Sequence, residues 1–93
     1  MKILPKIRLK RNCEYEVVFC ESFDNPDTLA ECRPSTRQIV IKKDLGKKLT
    51  EECMVHELAH ALSDEYKLNL THGTIYKLER AVLNLIKLNK WEK

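Results

Sequence analysis

The run His56-Glu57-Leu58-Ala59-His60 constrains this chain more than any other stretch. Residues i and i+4 lie one turn apart on the same face of an α-helix, so the two imidazoles can share one ion only if the segment is helical. Glu57 projects to one side, too far round the helix to share that ion easily. Its carboxylate is instead placed to take a proton from a metal-bound water. This division of labour is why HExxH on a helix points to a zinc hydrolase site. Zinc lowers the pKa of its water from about 15.7 to about 7, which makes hydroxide available near neutrality.

The plain alternative is that two histidines share a helix face by accident, and the flanking residues weigh against it. Thr50 is a good N-cap, Glu51 and Glu52 suit the positive end of a helix dipole, and the pattern stays helical to about Tyr66 or Lys67. Cys53, His56, Glu57, His60 and Asp64 follow helical spacing on one side. Met54, Leu58, Ala61 and Leu62 follow the same period on the other. The chain has three histidines, and two of them fall in this run.

With 93 residues there is room for one domain, spanning 1–93. A chain this short buries only roughly 60–65% of its unfolded surface, so a bound metal is a plausible staple. Gly and Pro are scarce, which argues against a low-complexity tail. No segment approaches the roughly 20 apolar residues of a membrane span. The opening MKILPKIRLKR is threaded with basic residues and lacks the apolar core of a signal peptide, so a cytoplasmic protein is expected.

Cys13, Cys20, Cys32 and Cys53 lack CxxC spacing, which leaves a four-cysteine zinc site unsupported. Buried free thiols are expected for Cys20 and Cys32. Cys53, one turn before His56, is near enough on the stripe to touch the site. The net charge is +3, with Lys2, Lys6, Arg8, Lys10 and Arg11 crowded ahead of any acid. Such an arm can hold nucleic acid through phosphates. The interleaving Lys6-Ile7-Arg8-Leu9-Lys10 fits an amphipathic strand better, so nucleic acid is not the expected partner.

Period-two patterning fills the first half: Ile7 and Leu9, then Tyr15, Val17 and Phe19 within 14–23, then 28–33, then 37–43 with Ile39 and Ile41. Turn signals separate these runs at Asn12, Asp24-Asn25-Pro26-Asp27, Pro34-Ser35-Thr36 and Asp44-Leu45-Gly46. The second half holds the metal helix and another over about 72–89. There Leu78, Val82 and Leu85 recur at helical spacing, while Lys77, Arg80, Asn84 and Lys87 suit the wet side. Strands followed by helices give an α+β fold: a small, mostly antiparallel sheet of about four strands with two helices on one face.

Catalytic zinc wants three protein ligands and one open position. Two residues after His60 qualify. His72 follows a connection short enough to turn the chain back against the first helix. Glu79 is the only polar member of the stripe Ile75, Glu79, Val82, Ile86, and a carboxylate so placed needs a partner. His72 is the favoured ligand, with Glu79 holding an imidazole behind it; Glu79 as direct ligand is the alternative. Tyr76, one turn beyond His72, could donate its phenol to the oxyanion of a tetrahedral intermediate or simply pack at the core edge. Asp64 could support the site or stay solvated.

The strand RQIVIKK, the run VHELAHAL and the later LTHGTIYKLERAV together resemble the small zincin-like metallopeptidases, most nearly SprT-type and short phage- or bacterial-encoded HExxH proteins. The likeness covers roughly 37–88. It implies a strand before the metal helix, His56 and His60 on zinc, Glu57 as base, and a downstream residue, here His72, completing the site. Ser63 and Tyr66 stand where a metzincin has glycine and histidine. The extra zinc-binding cysteines and nucleic-acid-binding tails of SprT-type chains are also missing. The expected function is zinc-dependent peptide hydrolysis, with an extended peptide or protein substrate lying beside the strand 28–33. A metal-dependent endoribonuclease and a non-catalytic module stabilised by zinc are the competing expectations.

Overall fold

Alternation of apolar and polar residues in the first half, and of helical spacing in the second, gives six elements. They are β1 (Lys6–Lys10), β2 (Cys13–Cys20), β3 (Ala30–Arg33), β4 (Gln38–Lys42), α1 (Lys47–Glu65) and α2 (His72–Leu88). The structure is a computed structural model that describes residues 2–91. The sheet order is β1-β2-β4-β3, with β1 antiparallel to β2 and β3 antiparallel to β4. At its centre β2 and β4 run parallel.

The connection from β2 to β3 produces that parallel pair. It is too long for a tight hairpin and folds on its own Asx turn, in which Asn25 Oδ1 accepts from the Asp27 N–H at 2.9 Å. The chain thereby passes to the far edge, and the β3–β4 hairpin brings it back beside β2. Both hairpin turns use non-glycine residues at positive φ, Asn12 (64°) and Arg37 (52°). They meet at one end of the sheet, where Arg37 Nη1 donates to the Asn12 carbonyl at 3.3 Å.

One sheet face carries the core. Tyr15 and Val17 of β2 and Ile39 and Ile41 of β4 are buried with Met54 and Ala61 of α1, and Ile7, Leu9, Ala30 and Cys32 pack around them. β1 is thus the amphipathic strand its sequence suggests, with Lys6, Arg8 and Lys10 exposed. α1 lies against β3 and β4 on one side and α2 on the other, so its apolar residues do not form a single stripe. Met54 and Ala61 belong to the sheet-side core, while Val55 and Ala59 are buried as well.

Several sequence-based expectations change. α1 begins at Lys47, with Gly46 (φ 82°) as the N-cap residue, so Thr50 is inside the helix and its amide bonds the Gly46 carbonyl at 3.1 Å. Glycine makes this entry accessible: that backbone region is closed to residues with a Cβ except under strain. β2 stops at Cys20, short of Phe23. The buried thiol is Cys13, whereas Cys20 and Cys32 are half-buried, and all four cysteines are free. Cys53 packs against the core cluster and stands outside the group of side chains able to hold a metal. On α2 it is Ile75 and Ile86 that are buried, while Leu78 and Leu85 are exposed. Among the described residues no helix is long and apolar enough to cross a membrane.

Candidate metal centre

Helical geometry puts His56 and His60 one turn apart on α1, and their Nε2 atoms lie 3.3 Å from each other. Nitrogen ligands about 2.0–2.1 Å from a tetrahedral zinc stand roughly 3.3 Å apart, so this spacing is what one shared ion requires. His72 comes toward this pair from α2. Its ring centroid is 5.0 Å from that of His60, and one nitrogen from each of the three imidazoles falls within 4.8 Å of the others.

The return of the chain from α1 to α2 makes this convergence possible. α1 ends in a Schellman motif: the Leu68 amide bonds the Ser63 carbonyl at 2.9 Å and the Lys67 amide bonds the Asp64 carbonyl at 3.3 Å. Lys67 takes the left-handed conformation usually given to glycine, at φ 54°. Ser63 then binds the loop a second time, its Oγ accepting from the Leu70 amide at 3.0 Å. Thr71 caps α2 by accepting from the Thr74 amide at 3.2 Å, which makes His72 the first helical residue. Sequence reasoning treated Ser63 only as a departure from a glycine pattern. A serine in the last turn of the helix, just ahead of a short connection, is the one available signal of its role.

Glu79 holds His56 from behind. His56 Nδ1 lies 2.7 Å from Glu79 Oε1, with both side chains largely buried. A carboxylate accepts, so Nδ1 carries the proton and the Nε2 lone pair faces His60 and His72. Glu79 is therefore where an imidazole-orienting carboxylate is needed, and the cluster able to hold a metal is His56, His60 and His72. Burial, and then His56 and His72 nearby, push the His60 pKa down, which favours the neutral imidazole that a metal needs.

Glu57 is only 8% exposed and is the one buried charged side chain among the described residues. It lines the same cleft as the three histidines, yet its carboxylate has no hydrogen bond or ion pair with any described residue. Burial pushes its pKa above the usual carboxylate range, with the neighbouring His56 pulling the other way.

The cleft measures about 940 Å³, and its far wall is β3, an edge strand, through Ala30, Glu31 and Cys32. Burial, together with the negative charges of Glu57 and Asp64, pushes the Cys32 thiol up to about 12, so it stays protonated and unsuited to ligation at neutral pH. Asp64 is exposed at the cleft wall. Tyr76 lays its ring 4.9 Å from that of His56 but is more than half exposed and stands outside the cleft-lining residues.

Comparison with protein-family models, curated proteins and solved structures finds no match. Three histidines lie close enough together to bind a metal ion. The donor set, all imidazole with one ring oriented by a carboxylate, suits a divalent transition metal.

Proposed function

We propose that the protein is a zinc-dependent peptidase of the zincin-like kind, with His56, His60 and His72 as ligands and Glu57 as general base. The observation that carries this reading is the Glu57 carboxylate, largely buried yet open to the cleft and without a hydrogen-bond partner there, beside three converging imidazoles. A carboxylate raised in pKa by burial and facing a cleft beside converging imidazoles is placed for proton transfer. Zinc, when bound, acts as a Lewis acid that lowers the pKa of a water to about 7.

Glu57 takes a proton from the attacking water and delivers it to the leaving amine. Glu79 keeps His56 in the tautomer whose Nε2 can ligate. β3 presents an unpaired edge to the cleft, suited to an extended peptide that adds as a further strand. Tyr76 braces the His56 ring from α2. Replacing Glu57 by Gln is expected to retain zinc while casein cleavage falls at least about 100-fold, the lower end for losing a general base. Unchanged turnover would overturn the assignment.

The three-histidine ligand set also suits a metal-dependent endoribonuclease, which makes that the second reading. Incubation with casein and with structured RNA, each with and without chelator, separates the two. If neither is cut and chelation lowers the melting temperature, the metal serves stability alone.

A further inference from the structure

The apolar face of α2 extends beyond the part that the fold covers. Ile75, Val82 and Ile86 lie on the side engaged with α1, whereas Leu78, Ala81, Leu85 and Leu88 are all exposed, Leu88 to 80%. Their positions step by three, four and three residues, so the uncovered part of that face has the spacing of a coiled-coil seam. In that register Lys77 falls at a flanking position, and Arg80 and Lys87 lie just beyond it. The helix has one acid, Glu79, and it is engaged with His56. The uncovered edge of α2 is therefore a narrow leucine seam, bordered on its outer side by Lys77, Arg80 and Lys87 and on its inner side by the residues packed toward α1.

We propose that this seam docks an acidic amphipathic helix of a partner protein, one presenting leucine-like residues at a and d and carboxylates beside them. Charge decides among the possible occupants. A second copy of this chain would set Lys77, Arg80 and Lys87 against the same cations, and like charges across a seam are disfavoured. An anionic bilayer satisfies the cations but calls for a wide apolar face, and this stripe is narrow. A helix with glutamates beside its seam satisfies both features. The inference stands apart from the metal centre and needs no catalysis.

The test uses Trp91, the chain's only tryptophan, which is half-exposed and lies three residues past Leu88. A synthetic tryptophan-free helix with Leu at a and d and Glu at the flanking positions is titrated into the whole chain. Saturable one-to-one binding with a blue shift of Trp91 emission is expected, weakening as salt rises. Leu85→Glu should weaken it at least about tenfold, a change of roughly 1.4 kcal/mol, with the far-ultraviolet circular dichroism unchanged. The triple variant Lys77→Glu, Arg80→Glu, Lys87→Glu should reject the acidic helix and take a Lys-flanked one instead. Absence of binding, or equal binding of acidic and Lys-flanked helices to the unmodified protein, overturns the proposal. So does partition into phosphatidylserine vesicles, or self-association in sedimentation, when the acidic helix fails to bind.

Discussion

Glu57 and Glu65 belong to one helix and meet opposite fates. Glu65 closes α1 onto the β1–β2 hairpin: its Oε2 accepts from the Tyr15 hydroxyl at 2.8 Å, and its backbone carbonyl accepts from Lys10 Nζ at 2.9 Å. The Tyr15 hydroxyl, and then the Cys13 thiol, hold its pKa below the usual range. Glu57, two turns earlier, is buried without such partners and pushed the other way. Glu65, which serves the fold, is tied down, whereas Glu57, the base of the proposed reaction, is left without a hydrogen-bond partner. That contrast separates the two roles without reference to any ligand.

The comparison breaks first at catalysis. Glu57→Gln removes the base and keeps the shape, so kcat should drop by roughly 10²–10⁴-fold with zinc content unchanged. Glu65→Gln should leave kcat and zinc content as they are. A catalytic defect in both variants, or in neither, would dissolve the distinction. Next in size is Glu79→Gln, which weakens the hold on His56 and should raise the zinc dissociation constant about 10–100-fold, read by competition with a chromogenic chelator. Retained affinity would mean that the His56 tautomer is set by something else.

Much of this site was legible in the sequence because helical spacing is rigid: naming His56, Glu57 and His60 already fixed their relation. Glu79 was legible for another reason, as a lone carboxylate on an apolar stripe. The approach of His72 depended on long-range facts the local pattern does not contain, namely the Schellman turn at Lys67 and the double bond from Ser63. The sheet divides in the same way. Strand positions followed from alternation, whereas the parallel β2–β4 pair followed from where a nine-residue connection happened to lead. The start of α1 was misplaced because Thr50 has the chemistry of a cap, while Gly46 has the backbone freedom that the entry needs.

A smaller effect sharpens the contrast in stability. Tyr15→Phe deletes the hydroxyl that Glu65 accepts from, and should lower stability by about 1 kcal/mol, or roughly 4–8 °C in melting temperature for a domain of this size. The pH dependences should oppose each other in the metal-free protein. Glu65, with its pKa lowered on folding, contributes stability above the usual carboxylate pKa of about 4.3, which is lost as pH falls through the folded value. Glu57, with its pKa raised, contributes stability below that point, which is lost as pH rises through its folded value. Thermal midpoints in chelator between about pH 3 and 7 should therefore show a smaller acid-side fall in Glu65→Gln, with Glu31 supplying part of what remains. In Glu57→Gln they should lose the decline as pH rises.

The least effect is expected where the two helices end alike. α2 closes with Lys90 at φ 52°, the Trp91 amide bonding the Ile86 carbonyl at 3.1 Å, which repeats the arrangement at Lys67. A left-handed conformation costs a residue with a Cβ roughly 1–2 kcal/mol, and glycine avoids it at some entropic cost. Lys90→Gly and Lys67→Gly should each stabilise the chain by about 0.5–1 kcal/mol, seen as matching rises in urea midpoint. Only Lys67 lines the cleft, so only its replacement should also change KM. A KM shift in Lys90→Gly instead would move the substrate away from the histidines and toward the far end of α2.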